Sequence, residues 1–273
     1  GLKVVIDGAN GAGYKVAPRV LGALGAEVIP IGCSPNGRNI NDGCGSLHPG
    51  LLQLTVPGVR ADVGIALDGD GDRVVMVDHE GNIIDGDQLL YVVALARQRA
   101  GELKGPVVGT IMSNLGLELS LREAGIDFRR AQVGDRYVMQ LLRETGGMLG
   151  GETSGHIICL DRTTTGDGLV SALQMLAIMK ESGESLQALT AGMPRMPQHM
   201  VNVRVASRID LDGSASVQQA VAEVQEHLGS RGRVVLRPSG TEPVIRVMVE
   251  GEDAGEVEEL ARRIAAVVER SAA

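Results

Sequence analysis

One short plan is written twice in this chain of 273 residues, and that repetition constrains the fold more than any other feature. Leu2 to Ile6 is a strand-like run. The glycine-rich stretch Asp7 to Gly13 follows, then a helical stretch to about Leu24, Gly25 as its stop, and a second run from Glu27 to Ile31. From Pro106 the order returns, with Val107 to Ile111 as strand, Ser113-Asn114 as turn and cap, Leu115 to Ala124 as helix, Gly125 as stop and Phe128 to Val133 as strand. Asn10 corresponds to Asn114 and Gly25 to Gly125, the second helix being about one turn shorter. Strands alternating with helices predict mainly parallel sheets covered by helices.

The last segment follows a different rule. Val201 to Val205 alternates apolar and polar residues, and Val217, Val221, Val224 and Leu228 then share one helical face. Strands at Arg233 to Leu236 and Val244 to Val249 flank a polar loop, and a final helix aligns Val257, Leu260, Ala261, Ile264 and Val268. The fold class expected is therefore two similar α/β sandwich domains with mixed, mainly parallel sheets, followed by a small α+β C-terminal domain. A break near Gly101 to Gly105 and the proline-interrupted linker Met193 to Pro197 divide the chain into 1–103, 104–197 and 198–273.

Composition removes several functional classes. The net charge of −8 comes without any basic stripe, which disfavours nucleic acid as a partner. The longest apolar stretch, around Leu169 to Met179, is broken by Ser171 and Gln174 and is too short for a membrane span; no signal peptide precedes it. Cys33, Cys44 and Cys159 lack metal-site spacing and read as reduced thiols of a cytoplasmic protein.

Three loops can carry chemistry. Asp68-Gly-Asp-Gly-Asp-Arg73 follows one apolar strand and precedes another. Three carboxylates in five residues repel one another, glycines let the loop curl, and all-oxygen ligation suits Mg²⁺ or Ca²⁺. An EF-hand is a poor fit, because Arg73 and His79 stand where that loop needs glycine and glutamate. A nucleophilic aspartate after a strand is a competing reading of the same residues. In Gly150-Gly-Glu-Thr-Ser-Gly-His156, an extended loop would turn Glu152, Ser154 and His156 to one side, suiting sugar hydroxyls or proton transfer; a plain β-turn is the alternative. In Arg237-Pro-Ser-Gly-Thr-Glu-Pro-Val-Ile-Arg246, arginine forks, two hydroxyls and freed backbone N–H groups make an anion cradle, with Arg231 and Arg233 adding charge nearby. Asp7 to Gly13 lacks dinucleotide spacing, and residues 165–168 look like an ordinary helix entry.

Taken in order, these motifs resemble the α-D-phosphohexomutase superfamily. They are D-G-D-G-D-R at Asp68, V-G-D-R-Y-V at Val133, G-E-x-S-G-H at Gly151, T-T-T-G-D-G at Thr163 and R-P-S-G-T-E-P at Arg237. The second of them, with the ending Ile245 to Asp253, resembles the glucosamine branch. The resemblance implies a phosphoserine enzyme, an isomerase that interconverts glucosamine 6-phosphate and glucosamine 1-phosphate through a bisphosphate intermediate, toward UDP-N-acetylglucosamine and cell-wall synthesis. It implies Mg²⁺ on Asp68, Asp70 and Asp72, catalytic roles for Arg73 and His156, sugar contacts from Glu152, Ser154 and His156, and phosphate contacts from Arg237, Ser239, Gly240, Thr241 and Arg246.

The superfamily's T-x-S-H-N-type serine loop does not occur in these residues. The expectation is a chain truncated before the second of four domains, missing a partner N-terminal domain and inactive alone. Two alternatives stay open: a Mg-dependent phosphotransferase or hydrolase with Asp68 as nucleophile, and a non-catalytic phosphosugar-binding protein.

Overall fold

Buried strands with no polar face read as unbroken apolar runs, and the first sheet is built from such runs. In the computed structural model, which describes residues 1–205, 211, 213–239 and 242–272, it begins with β1 (Lys3–Asp7), α1 (Val16–Ala23) and β2 (Glu27–Ile31). It continues with α2 (Gly50–Gly58), β3 (Val63–Leu67), β4 (Val74–Asp78) and the short β5 (Ile83–Ile84). Strand order is β2-β1-β3-β4-β5, with β1 parallel to β2 and β3, while β4 and β5 reverse direction in turn. Every residue of β3 and β4 is buried.

Helix α3 (Gly86–Arg99) starts on a capping box: the Asp85 carboxylate accepts the N–H groups of Asp87 and Gln88, and the Gln88 side chain accepts the Asp85 N–H. The second sheet comprises β6 (Val107–Thr110), α4 (Leu115–Glu123), β7 (Phe128–Ala131), α5 (Asp135–Thr145), β8 (Leu149–Gly151) and β9 (Ile157–Cys159), followed by α6 (Gly168–Ser182) and α7 (Leu186–Thr190). Its order is β7-β6-β8-β9, parallel through β8 and antiparallel at β9. This is the order of β2-β1-β3-β4, so the repetition in the sequence is a repetition of topology. Ile65, Met76, Leu90, Leu117, Leu149 and Met175 belong to one continuous apolar core.

Two compact units result, residues 1–113 with 117–193 and residues 114–116 with 194–273. The second contains β10 (Gln198–Arg204), α8 (Ala215–Leu228), β11 (Arg233–Pro238), β12 (Val244–Glu250) and α9 (Ala254–Ala272). Its sheet is antiparallel, in the order β10-β12-β11. Val217, Val224 and Leu228 of α8 and Val257, Ala261, Ile264 and Val268 of α9 bury against Ile245, Val247 and Val249. The architecture is thus two mixed α/β sheets and a small antiparallel α+β domain, the class expected. No helix among the described residues is long and apolar enough to cross a membrane.

Candidate functional site

The chain leaves β3 at Leu67, turns through Asp68 to Arg73 and re-enters the sheet as β4. Asp68, Asp70 and Asp72 each bring a carboxylate oxygen within 4.8 Å of the others, although Asp68 is buried and Asp70 exposed. The Arg73 backbone N–H donates to Asp68 Oδ1 at 3.1 Å, and its guanidinium Nε lies 3.9 Å from Asp68 Oδ2. Burial, together with negative charge at Asp72 and Asp70, pushes the Asp68 carboxyl up to about 6. Burial works against ionisation of Asp72 too. The hydrogen bond shared with Asp68 and the positive charges of His156 and Arg73 outweigh it and hold Asp72 below the usual carboxylate range.

Asp72 Oδ1 is buried and accepts no hydrogen bond among the described residues. An orphaned carboxylate oxygen beside two further carboxylates, with no sulfur or nitrogen donor in the cluster, fits a hard divalent cation such as Mg²⁺.

The loop from β8 to β9 holds the corresponding place in the second sheet. It is not extended: the Gly155 N–H donates to the Glu152 carbonyl at 2.9 Å, closing a β-turn. The alternation expected of Glu152, Ser154 and His156 is therefore lost, and the three part company. Glu152 Oε1 accepts the Gly134 N–H at 2.9 Å, which ties this loop to the V-G-D-R-Y-V segment. Ser154 is exposed. His156 turns inward and is only 4 % exposed, with Nδ1 3.0 Å from Asp72 Oδ2. The Val74 N–H also donates to the Gly155 carbonyl at 3.1 Å. Residues of the metal-type and sugar-type loops thus meet in one unit.

Two supports escaped sequence reading. Thr153 Oγ1 donates to the buried Asp87 Oδ2 at 2.7 Å, and the Gly86 N–H donates to the Thr153 carbonyl at 3.1 Å, so the first turn of α3 grips the turn. The D-G-D at residues 85–87, an acidic pair at a helix entry, was the available signal. The 163–168 segment is more than a helix entry. Asp167 does cap α6, accepting the Val170 N–H at 2.9 Å, but Gly166 lies against the His156 ring so closely that a Cβ there would collide with it. The Gly168 N–H donates to the Gly71 carbonyl at 2.9 Å. The glycines of Asp7 to Gly13 likewise serve packing: the Ala12 N–H donates to the Gly69 carbonyl at 2.8 Å, and Gly11 leaves no room for a side chain there.

In the second unit, β11 and β12 place Arg237 directly opposite Arg246. Like charges so paired repel. Desolvation and the Arg246 charge both lower the Arg237 pKa, and Nε of each arginine is buried without an acceptor among the described residues. Arg246 also reaches Glu242, at 3.2 Å. The Ser239 N–H donates to the Val244 carbonyl at 2.8 Å, closing the base of the loop. Gly240 and Thr241 lie outside the described residues. Arg231 and Arg233 do not add charge to this loop: Arg233 pairs with the fully buried Glu250 at 2.6 Å, and Arg231 lies 3.9 Å from Glu252.

Sheet order and loop chemistry together define the class. Sequence profiles of the phosphoglucomutase/phosphomannomutase family match in order: alpha/beta/alpha domain II at residues 1–81, alpha/beta/alpha domain III at 85–196 and the C-terminal domain at 200–267. The chain belongs to that family. Within it, the chain is a homologue of phosphoglucosamine mutase, an isomerase. It is 59 % identical over 271 residues to the phosphoglucosamine mutase of Methylococcus capsulatus, covering 99 % of this chain and 61 % of that protein. It is 58 % identical over 268 residues to that of Alkalilimnicola ehrlichii, covering 98 % and 59 %. The chain thus spans about 60 % of the length of these relatives. The fold matches the Aspergillus fumigatus N-acetylphosphoglucosamine mutase, crystallised with GlcNAc-6P and magnesium, with TM-score 0.80, 21 % identity, and coverage of 100 % of this chain and 63 % of that one. A phosphoglucomutase/phosphomannomutase family protein of Burkholderia thailandensis matches with TM-score 0.79 and 24 % identity, over 99 % and 60 % of the two chains.

Proposed function

We propose that these residues form the metal-, sugar- and phosphate-binding parts of a phosphoglucosamine mutase interconverting glucosamine 6-phosphate and glucosamine 1-phosphate through a bisphosphate intermediate. The observation that carries this reading is the 3.0 Å contact between His156 of G-E-x-S-G-H and Asp72 of D-G-D-G-D-R, which joins a carboxylate cluster to a polyol-type loop.

Asp68, Asp70 and Asp72 would hold Mg²⁺, which when bound offsets charge on a transferring phosphoryl group. Arg73 stands beside that cluster, where its guanidinium can meet a phosphoryl oxygen. Glu152 keeps one carboxylate oxygen for a sugar hydroxyl after accepting the Gly134 N–H, and exposed Ser154 offers its own hydroxyl. His156 completes that loop, and its imidazole is the group there able to carry a proton. Arg237, Ser239 and Arg246, with Gly240 and Thr241, would grip the phosphate that is not transferred, so that binding energy orients the sugar.

The division into 1–103, 104–197 and 198–273 belongs to this reading. It is supported by two copies of one strand order followed by an antiparallel sheet. No T-x-S-H-N-type segment occurs in the 273 residues, so on this reading the phosphoserine of such a mutase is not among them and these residues alone are expected not to turn over. Calorimetry should register Mg²⁺ and glucosamine 6-phosphate binding, and coupled assays should register no product until a serine-loop domain is supplied. Interconversion by these residues alone overturns the reading that the nucleophile lies outside them. A phosphoaspartate trapped at Asp68 favours the phosphotransferase alternative, and tight sugar binding without chemistry after supplying that domain favours a binding protein.

A further inference from the structure

The contact between His156 and Asp72 has a mechanical meaning that substrate contact alone does not require. We propose that His156 is a positioning residue for the metal loop, and that through it occupation of the sugar loop and affinity for the cation are linked. This rests on the metal and sugar sites proposed above.

Asp72 as a carboxylate only accepts hydrogen bonds, so the imidazole donates from Nδ1 to Oδ2, and its Nε2 is buried without a partner among the described residues. Pinning one oxygen of a carboxylate stops its rotation and fixes where the other stands. That other oxygen, Oδ1, is the buried and unpartnered one, and it is left for the cation. Outer partners that fix a ligand's orientation are a general determinant of metal affinity. The ring is itself fixed. It is only 4 % exposed, and Gly166 closes against it.

The surrounding backbone transmits movement in the same direction. Val74, one residue past the metal loop, donates to the Gly155 carbonyl, and Gly71 within it accepts the Gly168 N–H. On the far side, Asp87 holds Thr153. A ligand that orders the turn at residues 152–155 therefore orders Asp72 as well, and by linkage the cation must favour the ordered turn equally.

The test uses Mn²⁺ as the divalent probe, followed by electron paramagnetic resonance, on the full 273-residue chain. His156→Asn keeps a donor near the place of Nδ1; His156→Gln carries its donor to the place of Nε2 instead. Mn²⁺ affinity is expected to fall about tenfold or more in His156→Gln and His156→Ala, and by less than about threefold in His156→Asn. Equal affinities in the Asn and Gln variants overturn the positioning role, because a space-filling residue would not distinguish them. That pair decides even where His156→Ala does not fold.

Saturating glucosamine 6-phosphate is expected to tighten Mn²⁺ about fivefold or more in the wild type and to leave His156→Gln unchanged. The same tightening in both overturns the linkage. Failure of glucosamine 6-phosphate to bind the wild type overturns the proposed substrate and the linkage, while the Asn and Gln comparison still decides the positioning. A wild type that binds no Mn²⁺ overturns the metal reading and this inference together.

Discussion

Replacing Arg246 by methionine separates an arginine kept for an anion from one kept for the fold. Two effects act on the free protein. The partner Glu242 is 61 % exposed, so losing that ion pair costs about 0–1 kcal/mol. Removing a like charge directly opposite Arg237 returns about 0.2–1 kcal/mol. The two nearly cancel, and methionine retains most of the apolar stem, so free-state stability should move by less than about 1 kcal/mol. Binding is different. A charge-assisted hydrogen bond contributes about 1.5–3 kcal/mol, which is roughly a 10- to 100-fold loss of affinity when removed. Scanning calorimetry without anion, followed by titration with glucosamine 6-phosphate, measures both quantities on one sample. A variant that unfolds about 2 kcal/mol more easily and still binds as tightly as wild type would refute the reasoning, because Arg246 would then be structural.

Other perturbations have equally definite directions. Gly166→Ala drives a methyl into the His156 ring and should cost about 1–3 kcal/mol in urea unfolding; an unchanged midpoint would mean the 163–168 segment does not close on the ring. Glu250→Ala removes a fully buried carboxylate that holds Arg233 and the Leu115 N–H and should cost about 3–5 kcal/mol, read in the same assay. Asp68 has its folded pKa raised from 3.8 to about 6, so the stability it contributes is full below about 3.8 and lost as pH rises through about 6. In chelator, the wild type should therefore lose stability relative to Asp68→Asn between those pH values. For the same reason protons compete with the cation, and Mg²⁺ affinity by calorimetry should be weaker at pH 5 than at pH 7.5; equal affinities would contradict the assignment.

Where the chemistry of a segment is local, the sequence was legible. β2 has the bounds read from its run, and the two-residue spacing of three carboxylates already announced a cluster. α2 was not read, because Leu51 and Leu54 are exposed while Leu52 and Val56 are buried, leaving apolar residues on every face and no clear period. The inward turn of His156 depends on a partner 84 residues away, and the grip of Asp87 on Thr153 spans 66; no window along the chain contains either pair. Arg233 looked like part of an anion site because its neighbours in sequence are basic. Its register opposite Glu250 in the hairpin committed it elsewhere.

The glycine contacts around the carboxylate loop carry a consequence for variation in this chain. Gly11 abuts Gly69, Gly155 abuts Val74, and Gly168 abuts Arg73, each leaving no volume for even a methyl. Main chain, not side chain, forms the walls. A saturation mutagenesis map scored on cation binding should therefore show a second ring of intolerance around the aspartates, made of positions that offer no ligand atom. Within that ring, severity should already be full at alanine, because every substitution adds the same Cβ, and should be almost indifferent to the chemistry beyond it.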